Sequence, residues 1–226
     1  MNSREFGAYK ARYRAAIQQV LSEAEPGRLD EIGFPAYSHA NPLISWLFWK
    51  RLHTVMDWIE RRAPFESALD FGCGSGVMLP FLASVSRQVI AADVDLLALE
   101  IMKTRIPLAS NVQVRDASEE AMSRLGAASF DLILALDVLE HVKDLSGTLA
   151  QLLRLLRPGG QLVISGPTEN VVYRVGRRLA GPEYSGDYHE RGVAEIRRML
   201  ASRASLKQIA TLYWPVPLFE IFTATA

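Results

Sequence analysis

Apolar positions recur at two different spacings along the chain, and the change between them divides it. Phe6, Tyr9, Tyr13, Ile17 and Val20 stand three or four apart, the spacing of one helix face. Pro26 and Gly27 break that helix, and a loop is expected through Gly33 and Pro35. Asn41-Pro42 then reads as a helix start, with Asn as N-cap and Pro in the first turn. The predicted helix runs to about Arg62. It carries Leu43, Leu47, Val55 and Ile59 together with Trp46, Phe48, Trp49 and Trp58. Apolar residues on so many sides predict burial on more than one face. From Ser67 the pattern switches to short apolar runs separated by helical stretches. Strands are expected at 67–71, 88–92, 111–114, 130–136 and 160–165, with Arg157-Pro158-Gly159-Gly160 as a break between a helix and the last of them. This alternation predicts a mostly parallel sheet covered on both faces. Two further strand-like runs, 206–213 and 218–223, flank Trp214-Pro215-Val216-Pro217. That linker is too short for a parallel crossover, so the last pair is expected to be antiparallel.

The expected organisation is therefore a helical N-terminal cap over 1–62 that helps to choose the substrate, and an α/β core over 63–226 with an insert at 169–188 as a lid. The 226 residues suit one domain with a cap. Lys plus Arg and Asp plus Glu both number 25, so no basic excess points to nucleic acid. Arg174, Arg177 and Arg178 form a small basic cluster that reads as a solvated helix face. Cys73 has no second cysteine to pair with, which fits a reducing compartment. The first residues carry charges and no apolar h-region, and no apolar run reaches the roughly 20 residues that span a bilayer. A cytoplasmic chain is expected.

The chemistry concentrates after the first strand. Ala68-Leu69-Asp70-Phe71-Gly72-Cys73-Gly74-Ser75-Gly76 is an apolar run entering a glycine-rich turn. The glycines allow a tight turn and let a ligand lie against bare backbone. A dinucleotide fingerprint, G-x-G-x-x-G, would need glycine at 77, where Val77 stands. Asp70 also precedes the turn; its carboxylate suits the ammonium of an amino-acid-bearing cofactor and would repel a pyrophosphate. Asp93, ending the second strand, can accept from both hydroxyls of a ribose, a device that dinucleotide folds share. Asp116 can accept from an adenine amino group after the third strand, and Ala117 can offer its backbone N–H. The fourth strand meets the same edge in Phe130-Asp131-Leu132-Ile133-Leu134-Ala135-Leu136-Asp137-Val138-Leu139-Glu140-His141.

In order and spacing these blocks resemble the class I S-adenosylmethionine (SAM)-dependent methyltransferases, from about Ser67 to Ser165 and more weakly to the end. The resemblance implies a Rossmann-like, doubly wound sheet of seven strands with the last antiparallel. It implies SAM as cofactor and S-adenosylhomocysteine (SAH) as product. Gly72, Cys73, Gly74 and Gly76, with Asp70, would hold the methionine part; Asp93 would bind the ribose, with Val94 beside it; Asp116 and Ala117 would hold the adenine; Leu136 would contact the cofactor through its backbone. Cys73 reads as a packing residue rather than a nucleophile.

Methyl transfer from a sulfonium is an in-line displacement, so the protein mainly aligns the acceptor and excludes water. A base helps where the acceptor is a hydroxyl. His141, after the fourth strand, and His189, in the polar aromatic stretch Tyr184–His189, are the candidates, with structural hydrogen bonding and helix capping or lid anchoring as the other roles open to them. Asp137, Glu140 and His141 form an acid-x-x-acid-His pattern similar to that of the ubiquinone-pathway O-methyltransferases, where a divalent metal is implicated. Asp stands here where those have Glu, and no metal is expected. The Trp46–Trp49 cluster and the Pro-rich apolar stretch Tyr213–Phe219 either belong to the core or line a pocket for a small, lipid-like or aromatic acceptor, with peripheral membrane contact as a further role.

Overall fold

The computed structural model describes residues 3–23, 37, 42–168, 192–213 and 216–225. Two long helices come first, α1 (Ser3–Glu23) and α2 (Pro42–Glu60). The alternating part follows as β1 (Phe65–Phe71), α3 (Leu79–Val85), β2 (Ser86–Asp93), α4 (Leu97–Met102), β3 (Val112–Asp116), α5 (Glu119–Ser123) and β4 (Phe130–Leu136). A 3-10 turn (Leu139–His141), α6 (Leu145–Leu155), β5 (Leu156–Pro167), α7 (Val193–Leu200), β6 (Ser205–Leu212) and β7 (Phe219–Thr225) complete it.

The seven strands form one sheet in the order β3-β2-β1-β4-β5-β7-β6. Neighbours from β3 to β5 are parallel, and β7 runs antiparallel between β5 and β6. The expected fold class and the antiparallel last pair are both found. The chain lays β2 and β3 on one side of β1, then crosses back to place β4 on the other. The carboxyl ends of β1 and β4 therefore flank a reversal of strand order, where open α/β sheets leave a crevice for ligands.

Alternate residues of each strand serve opposite faces. Ala68, Val89, Leu132, Leu134, Val163 and Ile221 face a layer with Tyr13, Ile17, Trp49, Leu52, Met56 and Ile59 of α1 and α2. Leu69, Ile133, Ile164 and Phe222 face Leu149, Leu152 and Ile196 of α6 and α7. The tryptophan cluster divides: Trp49 is buried in the core, whereas Trp46 is 48% exposed.

The break expected at Arg157–Gly160 lies inside β5 instead. The strand begins at Leu156, paired with Phe130, and its register shifts before Leu132 meets Gln161. Gly159, at φ 80°, absorbs the extra residues as a local irregularity, so pairing resumes without a loop. Asn41, most of the first loop, the Arg174–Arg178 cluster and the 169–188 insert lie outside the described residues.

Candidate functional site

The glycine turn sits where β1 leaves the sheet. Its first two N–H groups, from Gly72 and Cys73, donate to the carbonyl of Ala92 on β2 at 2.8 and 3.1 Å. Gly74 N–H donates to Oδ2 of Asp93 at 2.7 Å, and Asp95 N–H to its Oδ1 at 3.1 Å. The acid ending β2 is thus bonded to the turn after β1, and each carboxylate oxygen keeps a lone pair. Gly72 has φ 75°, and a β-carbon on it would stand 2.4 Å from Val138, which follows β4. Gly74 has φ 51° and open space within 4 Å of where a β-carbon would be. One glycine is needed for packing, the other leaves bare backbone facing a vacancy.

Asp70 lies beneath this turn and is buried. Loss of water, and then the charge of Asp93, push its carboxyl up from the ordinary 3.8 to about 7. Burial likewise raises Cys73, with Asp70 and Asp93 adding to it, so the thiol stays protonated and packs as expected. Val94, 80% exposed, and Leu97 leave an apolar shelf at the carboxyl end of β2.

The neighbouring acid, Asp116, pairs in register with Asp93 and accepts Ser118 N–H at 2.5 Å. Ala117 departs from expectation. Its N–H donates to the carbonyl of Asp93 at 3.0 Å, so parallel pairing of β2 with β3 has taken the donor that an adenine nitrogen would need. Its buried methyl group remains as wall.

The acid-x-x-acid-His run spans the end of β4 and the 3-10 turn that follows it. Asp137, with φ 52°, is turned toward the cap, where it is ion-paired with Arg51 of α2 and accepts Ser165 Oγ–H at 3.0 Å. Glu140 is buried, and His141 is exposed on the 3-10 turn. Among the described residues no group of three or more His, Cys, Asp or Glu is placed to hold a metal. His189 lies outside the described residues.

Three contributions escaped the sequence reading. Tyr9 and Tyr13 on α1 donate through their hydroxyls to the carbonyls of Val77 and Ser75, the latter at 2.5 Å, and so clamp the far side of the glycine turn. Burial raises both phenols, with the Asp70 charge adding to Tyr9. The third is Arg51, buried to 2% exposure. Its guanidinium lies over Phe48 and Phe219 at 5.2 and 5.3 Å, with Nη2 donating to Tyr37 Oη at 3.4 Å. A signal for it existed: a lone charge three and four positions from Phe48 and Val55 on an otherwise apolar stripe. A cavity of about 530 Å³ at the opposite edge of the sheet, beside Trp58, Phe65 and Gly160, touches none of these residues.

A methyltransferase domain family matches residues 43–217. The ubiquinone biosynthesis O-methyltransferase of Aromatoleum aromaticum (strain DSM 19018 / LMG 30748 / EbN1) is 32% identical over 129 residues, 54% of this chain and 55% of that protein. That of Paracidovorax citrulli (strain AAC00-1) is 28% identical over 67% of each. The chain thus matches between about half and two thirds of the length of these relatives. Among solved structures, the N-methyltransferase NodS from Bradyrhizobium japonicum WM9 in complex with SAH superposes with a TM-score of 0.59 at 20% identity, over 94% of this chain and 98% of that one. The magnesium protoporphyrin IX methyltransferase ChlM from Synechocystis PCC 6803 with bound SAH gives 0.58 at 16% identity, over 93% of both. At these identities the superpositions speak for the fold.

Proposed function

This chain belongs to the class I SAM-dependent methyltransferase family, and from that premise we propose that it moves the methyl group of SAM to an oxygen of a small-molecule or lipid-like acceptor. The reading is carried by the direct bond between the glycine turn and the acid ending β2, Gly74 N–H to Asp93, at the point where strand order reverses. A cofactor stretched across that junction would lie with its amino-acid end on the turn, its ammonium toward Asp70, and its ribose hydroxyls on the lone pairs that Asp93 keeps. The adenine would rest on the Val94 shelf near Asp116 and the Ala117 methyl. The sulfonium methyl would then emerge beside Leu136, facing the cap. SAM supplies an already activated methyl carbon; the protein's task is to align the acceptor and keep water out.

Oxygen is favoured by the likeness to O-methyltransferases. An acceptor with an apolar body is favoured by the rings that meet under the cap, where Phe48 and Phe219 are 5.9 Å apart and Trp46 and Tyr213 5.6 Å. No described helix is long and apolar enough to cross a membrane, so such an acceptor would be met from the aqueous side or at a membrane surface. His141, exposed next to β4, and His189 remain the histidines available to a proton on its way out.

Calorimetric titration with SAH, with NAD as comparison, tests the cofactor. Saturable binding of SAH alone is expected. Asp93→Ala should weaken it by about 1.5–3 kcal/mol, the scale of hydrogen bonds to a charged group. Undiminished affinity in folded Asp93→Ala would move the ribose elsewhere.

A further inference from the structure

We propose that the cavity at the amino ends of the strands, the opposite end from the glycine turn, binds a phosphate monoester that carries a flat ring, with its phosphate on Arg62 and Lys207. The site is separate from the cofactor edge and does not rest on the methyl-transfer reading.

The cavity arises because α2 stops before the sheet does. That helix ends at Glu60, and the chain enters β1 at Phe65. Beyond the helix end the covered face of the sheet turns polar. On β7, Thr223 and Thr225 continue the alternation of Ile221, which faces the layer of α1 and α2. Strand β6 sets Lys207 opposite Thr223 and Ser205 opposite Thr225. From β5, Gln161 Nε2 donates to Thr225 Oγ1 at 2.9 Å. A polar row thus crosses three strands, and Trp58 and Phe65 wall it on the helix side. The space is about 530 Å³, a size that suits a small organic ligand better than a bare ion.

Three charged side chains line it: Asp131, Arg62 and Lys207. Asp131 is already spent. Its carboxylate accepts from Glu66 and Ser67 N–H and from Arg157, whose guanidinium offsets its charge. Arg62 and Lys207 take part in no ion pair among the described residues. The Arg62 guanidinium lies 3.9 Å over the Trp58 ring, and Nη1 donates to the Trp58 carbonyl at 2.9 Å. That double contact holds the guanidinium fork in place and leaves its other N–H groups for an oxyanion. Two cations without partners match a dianion. A phosphate monoester carries about −1.5 to −2 at pH 7, more than the single charge of a carboxylate.

The rest of the lining fits what such a phosphate would carry. Phe65 and Trp58 offer ring surface to a flat group. Ser205 and Thr225 offer hydroxyls that donate or accept. Gly159 has φ 80° and nothing within 4 Å of where a β-carbon would be, so the backbone of β5 lies bare on the cavity. A glycine inside a strand marks a place where another group comes close. A sheet face that merely meets water accounts for the hydroxyls and Lys207. It does not account for a tryptophan carrying a pinned guanidinium beside a bare glycine.

The test is calorimetric titration of the whole chain with uridine monophosphate (UMP), with uridine and inorganic phosphate as comparison ligands, each with and without saturating SAH. One-site binding of UMP is expected, at least about tenfold tighter than either comparison ligand, because ring and phosphate are held together. Saturating SAH should change UMP affinity by no more than about twofold, since the two sites lie at opposite ends of the strands. Lys207→Ala and Arg62→Ala should each weaken UMP by about fivefold or more, as loss of a charge-assisted contact requires. Arg198→Ala, on α7 and outside this cavity, should leave it unchanged. Lys207 is exposed, so its variant is expected to fold even if Arg62→Ala does not. The proposal is overturned if the folded chain does not bind UMP, if uridine or phosphate binds as tightly, or if Lys207→Ala keeps wild-type affinity. It is also overturned if SAH displaces UMP, which would place the nucleotide at the cofactor edge, or if Arg198→Ala weakens UMP as much as Lys207→Ala, which would mean attraction to surface charge alone.

Discussion

Asp70 carries an electrostatic cost that a bound ammonium would relieve. Burial, then the nearby Asp93 charge, lift its carboxyl from 3.8 to about 7. The folded chain therefore holds a proton there that the unfolded chain has released, and the stability linked to it is complete below 3.8 and lost as pH rises through about 7. An ammonium on Asp70 favours the ionised form, so SAH should bind with loss of a proton below pH 7. Affinity should climb as pH rises from about 5 and level off above about 7. Calorimetry in buffers of different ionisation enthalpy reads the released proton directly. A flat affinity across that range would take Asp70 away from the ammonium. At this scale the acids and glycines were legible in the sequence, because a glycine turn between an apolar strand and a helix admits few geometries. Arg51, Tyr9 and Tyr13 were not, since their partners lie far along the chain and a helical spacing names a face without naming what it meets.

Among the elements, the turn from β1 to α3 does two separable jobs. Gly72 is confined by packing: a methyl group there meets Val138 at 2.4 Å, on top of a φ of 75°. Gly74, at φ 51°, faces open space. The left-handed backbone costs an alanine about 1–2 kcal/mol at either position. Overpacking adds about 1–3 kcal/mol at Gly72 only. Gly72→Ala should therefore show the larger fall in unfolding midpoint. Gly74→Ala should stay closer to wild type in stability and lose SAH affinity, because its methyl group fills the vacancy. Denaturant unfolding with parallel SAH titration separates the two, and equal stability losses would contradict this division. Strand β5 shows the limit of reading elements locally. Pro158-Gly159-Gly160 carries every mark of a break, yet pairing with β4 on both sides of it, at Leu156 and again from Gln161, keeps it within the strand.

Across the whole molecule, one stabilising polar cluster sits at the edge of the sheet away from the glycine turn. Asp131 begins β4 at the edge away from the glycine turn. It accepts the N–H groups of Glu66 and Ser67, each at 2.9 Å, and Nη1 of Arg157 at 2.9 Å. Partial burial pushes its carboxyl up, but these bonds outweigh it and hold the group below the ordinary value. Its contribution is present at neutral pH and fades as pH falls through that lowered value. Asp131→Ala should cost about 1.5–3 kcal/mol of stability while the folded fraction binds SAH as wild type does. Reduced SAH affinity in that variant would mean that strain crosses the sheet from one edge to the other.

The sequence by itself determined the α/β class, the strand count, the antiparallel last pair and the glycine turn that follows the first strand. Those follow from short-range rules: apolar period, a glycine-rich turn and a linker too short to cross over. Only the tertiary structure decided how α1 and α2 serve the site. Two tyrosines reach the glycine turn across more than sixty residues, and Arg51 reaches Asp137 across more than eighty. It also decided that Ala117 spends its N–H on β2 and that Asp137 pairs with Arg51 and Ser165. The physical reason is common to all of these. A side chain's type limits the bonds it can make, but the partner it finds is set by which elements the packed sheet brings within about 3 Å, and that depends on the whole chain at once.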